Sequence, residues 1–378
     1  MKKLFLGNRQ KIYKPTSKNK KAIILLFFLS AVFYGLSQYI PSKQAASLKS
    51  EMRKASEIMD EAMNKIRLCR EDKGIEINKE TDKNNTGIIG VKMSPLTTTL
   101  GNLGSKRTTV NPNFAALAVF LLQKARVKKG DVIAVGASGS FPALVLAVHS
   151  ASKVMGLKPL FIYSLGASQW GANIPDFNWF HMHECLFHEG IIDVNPVAVT
   201  LGGDHDAGEN IREAVRLELQ KQIKDSHYFF IHEPDFRENV EKRMDVYEEK
   251  ASGKKISAFV NIGGNVSNIG KSSEILKVKP GLARIKTIPS IDKRGVMFEM
   301  AQREVPVIHF LYIKGLADEY GLPWDPSPLP DPGQGELYKI VEEYQNSFLV
   351  ISLIYLCLVV IVFGFLFRGH YTHLPYLR

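Results

Sequence analysis

Five short apolar runs, each ending in small residues, constrain the fold of this chain more than any other feature. They are 131–135 before Gly136-Ala137-Ser138-Gly139-Ser140, 159–165 before Gly166-Ala167-Ser168-Gln169-Trp170-Gly171, 197–201 before Gly202-Gly203-Asp204-His205-Asp206-Ala207-Gly208, 258–262 before Gly263-Gly264-Asn265, and 305–313 before Lys314-Gly315. Short continuous β-branched runs are what parallel strands covered by helices on both faces require. Helical spacing occupies 142–155, 209–223 and 293–302, and a further helix starts at Asn111-Pro112-Asn113 and reaches about 124. Strand–helix alternation predicts right-handed crossovers and an α/β fold with a doubly wound, mostly parallel, Rossmann-like sheet. The rhythm is unbroken over 89–347, which reads as one domain. The proline-rich stretch 321–335 cannot be regular structure. It precedes a helical segment at 336–344.

Two stretches stand outside this pattern. Residues 22–40 and 348–367 carry no charged side chain. Each approaches the ~20 residues that a helix needs to cross a ~30 Å hydrocarbon layer. The expectation is a transmembrane helix near each end, tethering the α/β domain. The first run is too long for a signal-peptide core, and Lys43 and Gln44 make a poor cleavage context before Ala45 and Ala46. The segment 1–21 then reads as a basic cytoplasmic tail, 41–88 as a juxtamembrane helix (apolar spacing over 44–70) followed by a polar loop, and 368–378 as a second cytoplasmic tail. Positive flanks stay in the cytoplasm. Localisation in the inner membrane with an extracytoplasmic domain follows, with the lipid bilayer as a partner.

Net charge has to be read against that layout. The formal charge is +11, but ten of the 49 Lys and Arg lie in the two tails, leaving 39 against 38 Asp and Glu. The body of the chain is nearly neutral, and nucleic acid is not an expected partner. Cys69 and Cys185 can pair or remain separate thiols, and Cys357 lies in the second apolar run. No motif names a cofactor, and no metal is expected. His181, His183, Glu184 and His188 lack a recognised metal-ligand spacing and read as an exposed helix surface.

In open α/β sheets ligands bind beyond the carboxyl ends of the strands. The glycine loops therefore supply the candidate ligand-binding residues: Gly136, Ser138, Gly139, Ser140, Gly166, Ser168, Trp170, Gly202, Gly203, Gly263 and Gly264. Small residues there serve either a tight strand–helix turn or an anion held at a helix N-terminus. A nucleophile at Ser138 or Ser140 is the third reading, although Ser140 stands where the elbow pattern G-x-S-x-G requires glycine. Asp204, His205 and Asp206 are candidates for a base or a cation site, with Asp206 as a helix cap the simpler alternative. Trp170 and Trp179 fit a ligand wall or a buried cap equally well.

The order of five motifs, with the context of Trp179 between the second and third, resembles the bacterial poly-gamma-glutamate system protein family. They are GSFPA at 139–143, GAS-x-WGA at 166–172, LGGD-x-D-x-G at 201–208, N-x-GG at 261–264 and PGQGELY at 332–338. The resemblance implies an accessory protein of poly-γ-glutamate capsule synthesis and export. Its implied partners are synthase and exporter subunits, and the anionic polymer itself. Two alternatives stand beside it: an extracytoplasmic hydrolase or transferase with a serine nucleophile, and a sensor of small anions or amino acids. The resemblance assigns no catalytic residue.

Overall fold

The structure, a computed structural model, describes residues 17–345 and 348–367, with side chains described over 24–35, 45–341 and 352–362. Its helices are α1 (Ser17–Asp72), α2 (Leu103–Thr109), α3 (Asn113–Lys124), α4 (Pro142–Met155), α5 (Trp179–His188), α6 (Glu213–Asp225), α7 (Phe236–Ala251), α8 (Val266–Ile269), α9 (Val296–Gln302), α10 (Ile313–Tyr320), α11 (Leu337–Gln345) and α12 (Phe348–Phe367). The main sheet has six strands: β1 (Val132–Ser138), β2 (Lys158–Ser164), β3 (Ala198–Thr200), β4 (Ile256–Ile262), β5 (Gly281–Ala283) and β6 (Val307–Phe310). The chain divides into two units, one spanning Leu48–Val341 and the other comprising the two ends.

In the large unit the strands lie in the order β3-β2-β1-β4-β6-β5. All pairings are parallel except β5 against β6. The winding reverses direction between β1 and β4, which creates a switch point at their carboxyl ends. Alternation along the strands sorts the two layers. Ile133, Val135, Tyr163, Val199, Val260 and Phe310 face a core built from α1, α3 and α4. Val132, Ala134, Ile162, Ala198, Phe259 and Val307 face α7 and α9.

Local chemistry sets the helix ends. Pro142 opens α4, and Gly156 closes it in the left-handed region at φ 63°, the asymmetry expected from proline's fixed φ and glycine's freedom. Asp235 caps α7 by accepting from the Arg237 and Glu238 amides at 2.8 and 3.0 Å. The carboxyl half of α1 buries Leu48, Met52, Ala55, Met59, Ala62 and Ile66 as one stripe. The polar loop that follows is tightly held. The Asp82 carboxylate accepts from the amides of Thr86 and Gly87 at 3.0 and 2.7 Å. Buried Arg70 donates to the carbonyls of Gly87, Ile89 and Glu76 at 3.0, 2.7 and 2.8 Å. The proline-rich stretch is anchored by Asp325, which takes a bidentate pair from Arg107 at 2.8 and 2.6 Å.

The membrane tether requires correction. Among the described residues no helix is long and apolar enough to cross a membrane. The α/β reading holds as a mixed fold with a mostly parallel sheet, but the tether by two transmembrane helices does not, nor does the inner-membrane localisation with its bilayer partner. Of the basic tails at 1–21 and 368–378, which carried the orientation, residues 1–16 and 368–378 lie outside the described residues. Within the smaller unit, Ser30 Oγ and Tyr355 OH share a 2.5 Å hydrogen bond, and the Phe33 and Tyr355 rings lie 5.7 Å apart.

Cys69 on α1 and Cys185 on α5 form a disulfide with Cα atoms 6.6 Å apart, closing a loop of sequence separation 116. A loop of that size restricts the unfolded chain by about 4–5 kcal/mol in the chain-entropy treatment. Replacing both cysteines by serine is therefore expected to lower the urea unfolding free energy by about 2–5 kcal/mol. Equilibrium denaturation of the two proteins checks this, and equal midpoints refute it.

Candidate functional site

The strand residues facing α7 and α9 are apolar until the last turn of backbone, where they become hydrogen-bonding. Ser138, Ser164 and Thr200 stand in register at the ends of β1, β2 and β3. Asn261 and His309 stand in register on β4 and β6, opposite Gly136 on β1. All five polar residues are buried, and a buried polar group needs partners.

Arg243 of α7 supplies them for Ser164 and Thr200. Its side chain is 0 % exposed and that of Asp206 is 2 % exposed, with Nη2 and Oδ2 2.5 Å apart. Nη2 also reaches Ser164 Oγ and Thr200 Oγ1, both at 3.2 Å. Nη1 donates to Asn268 Oδ1 at 3.4 Å and Nε to Asn239 Oδ1 at 2.9 Å. The other face of the carboxylate is equally occupied: Asp206 Oδ1 accepts from Thr200 Oγ1 at 2.9 Å and Asn265 Nδ2 at 2.8 Å. Asp206 thus binds strand ends and α7, and is not a helix cap; the helix after it begins at Glu213. A run of left-handed residues, Gly202, Gly203, His205 and Asp206, aims the carboxylate inward. Two of these are not glycine, so local strain is held by the ion pair beneath.

Above Asp206 a cavity of about 430 Å³ opens, lined by Gly203, Asp204, His205, Glu209, Phe236, Val266, Ser267 and Lys271. His205 and Asp204 are exposed. His205 Nδ1 pairs with Glu209 Oε2 at 2.8 Å. Lys271 Nζ lies 4.5 Å from the Phe236 ring centroid. Neither Asp204 nor Lys271 has an ion-pair partner among the described residues.

The glycine loops divide between close packing and open space. A Cβ on Gly136 would lie 2.5 Å from Asn268 Nδ2, and one on Gly139 2.7 Å from the Leu165 carbonyl. Gly166 and Gly202 are crowded in the same way by neighbouring backbone, and Gly203 by Asn210, whereas a Cβ on Gly264 would meet nothing within 4 Å. Gly263 brings its loop against Ser138, with the added Cβ 3.1 Å from Ser138 Cβ. Ser138 Oγ accepts from the Ser140 amide at 3.2 Å, and Ser140 Oγ accepts from the Ser168 amide at 3.0 Å. Among the described residues neither hydroxyl contacts a histidine. Trp170 is half-buried at φ 65°. Trp179 is fully buried, edge-on to Tyr163 at 5.5 Å. His181, His183, Glu184 and His188 line a different cleft. No group of three His, Cys, Asp or Glu positioned to hold a metal exists among the described residues.

Lys106 of α2, absent from the sequence reading, completes this edge. It is buried, its Nζ lies 2.9 Å from Ser168 Oγ and 3.5 Å from the Phe141 ring centroid, and it donates to the Ser140 carbonyl. It staples the first glycine loop to the second. Burial pushes its pKa down to about 7. Comparison with family models, with curated proteins and with solved structures yields no match.

Two outcomes are expected. Arg243→Met alone leaves a buried carboxylate unpaired and should cost about 3–5 kcal/mol, while Arg243→Met with Asp206→Leu should recover part of that loss; chemical denaturation measures both. For Lys106, the unfolded chain holds a proton at its ordinary pKa of 10.5 that the folded chain releases near 7. More protons on the unfolded side means that this group's contribution to stability rises with pH across that window and is flat below it. Lys106→Met should remove that part of the rise, seen as a smaller change in urea midpoint between about pH 7 and 10 than in the unsubstituted chain.

Proposed function

We propose that this chain is a glutamate-recognising accessory protein of a poly-γ-glutamate system. The ligand is a free glutamate or the amino-terminal end of a γ-glutamyl chain, held in the cavity above Asp206. The observation that carries the reading is the pair of opposite charges on the cavity lining, Lys271 and Asp204, neither of them in an ion pair within 4 Å among the described residues. Opposite charges at one cleft suit a zwitterion, with Lys271 meeting a carboxylate and Asp204 an ammonium. An internal stretch of the polymer, uniformly anionic, is disfavoured by Asp204 and Glu209. The rigid floor beneath supports binding, because a preorganised site loses little order on association. The pathway itself rests on the motif order at 139–143, 166–172, 201–208, 261–264 and 332–338, from which synthase and exporter subunits follow as partners.

The alternative of a serine nucleophile draws less support: His205 is paired with Glu209 at the surface, and Ser138 and Ser140 bond to loop backbone. Calorimetric titration with glutamate, γ-glutamyl-glutamate and glutarate separates the readings. Glutamate should bind saturably, and Lys271→Ala should weaken it by about tenfold, within the range for a charged hydrogen bond. Asp204→Asn should weaken glutamate but leave glutarate, which has no ammonium, unchanged. Absence of saturable binding, or indifference to both substitutions, overturns the proposal.

A further inference from the structure

A second cleft, of about 470 Å³, lies between α5 and α6 and has a different chemistry. Its walls are aromatic. Phe180 and Tyr228 stack with ring centroids 6.1 Å apart and planes at 25°. His183 and Phe187 stack at 5.9 Å and 21°. The His183 and Tyr228 rings meet at 89°. Local bonds hold these rings in place: Tyr228 OH donates to Asn195 Oδ1 at 3.0 Å, and His183 Nε2 lies 3.1 Å from the Val194 carbonyl. Asn178, which caps α5, reaches across to Gln222 of α6 at 3.4 Å.

The charges on the lining all have one sign. Glu184 and Asp225 contribute carboxylates, and no lysine or arginine lines the cleft. Burial holds both His183 and His181 below the ordinary histidine range, so neither offsets them near neutral pH. His188 Nε2 approaches Glu184 only to 3.9 Å. Ring faces carry negative quadrupole charge and attract cations. Carboxylates beside them add a second attraction of the same sign. A bare metal ion would need three or more close ligands, which this cleft does not assemble.

We propose that the α5–α6 cleft binds an organic ammonium group, seated against Tyr228 and Phe180 and balanced by Glu184. The inference is independent of the glutamate reading, because it uses other residues and a ligand of opposite charge. Saturation-transfer NMR and calorimetry on the full chain, with choline, n-butylammonium and 3,3-dimethyl-1-butanol as probes, test it. The last is the uncharged isostere of choline. At least one cation should bind saturably and about tenfold or more tighter than the isostere, the range that a partly desolvated cation–π contact supplies. Glu184→Gln, on an exposed position, should weaken the cation about threefold and leave the isostere unchanged. Tyr228→Leu should weaken it about tenfold with an unchanged far-ultraviolet spectrum. Equal binding of choline and its isostere, or no saturable binding of either cation, overturns the proposal, as does indifference to Glu184→Gln.

Discussion

Arg243 and Asp206 meet where three strands end, and the carboxyl edge of the sheet depends on that contact. An arginine with no exposed surface carries five donors in a fixed fork, and here they are distributed over Asp206, Ser164, Thr200, Asn239 and Asn268. Each acceptor lies on a different element. The pair therefore joins β2, β3, α7, α8 and the Asp206 turn through one guanidinium. Buried ion pairs of this kind are poor stabilisers relative to a hydrophobic core but costly to break singly. Their effect is geometric: one arrangement of the strand ends and the glycine turn pairs Arg243, Asp206, Ser164 and Thr200 together.

That arrangement explains which parts of the fold were legible beforehand. The parallel strands announce themselves because both of their faces are buried, so β1, β2 and β4 read as continuous apolar runs. Helix α4 is legible from Pro142 and Gly156. Helix α7 is not. Its buried stripe of Phe236, Val240, Met244, Tyr247 and Ala251 is interrupted on the same side by Asn239 and Arg243, and charged residues fill the rest. The residues that make α7 central also disguise its inward face as solvated. A signal was present elsewhere: the last inward residue of every run is polar, at Ser138, Ser164, Thr200, Asn261 and His309. Such a column, at the end where α/β sheets bind ligands, implies a charged partner from another element.

The cysteines and the apolar ends illustrate two other limits. Spacing alone cannot pair Cys69 with Cys185 across a separation of 116 residues, because only the packing of α1 and α5 on the same core brings them together. The charge-free runs met the length criterion for spanning when read as a string. Among the described residues no helix is long and apolar enough to do so. Without the tether, what remains of the charge argument is the near-balance of acidic and basic residues in the body of the chain.

Two clefts of different lining on one unit follow from how the sheet is covered. At the carboxyl edge the strand ends and the turn at Gly202–Asp206 present backbone and small polar groups, and Lys271 is brought in over Phe236. Beside the sheet, the rings of α5 meet Tyr228, which follows α6, and Trp179, Tyr163, His149 and Phe161 form an aromatic layer next to them. That layer continues outward through His183 to Phe187 and Tyr228. The outer rings of that layer line the cleft together with Glu184 of α5 and Asp225 of α6. The first cleft is thus shaped by backbone geometry and the second by side-chain volume.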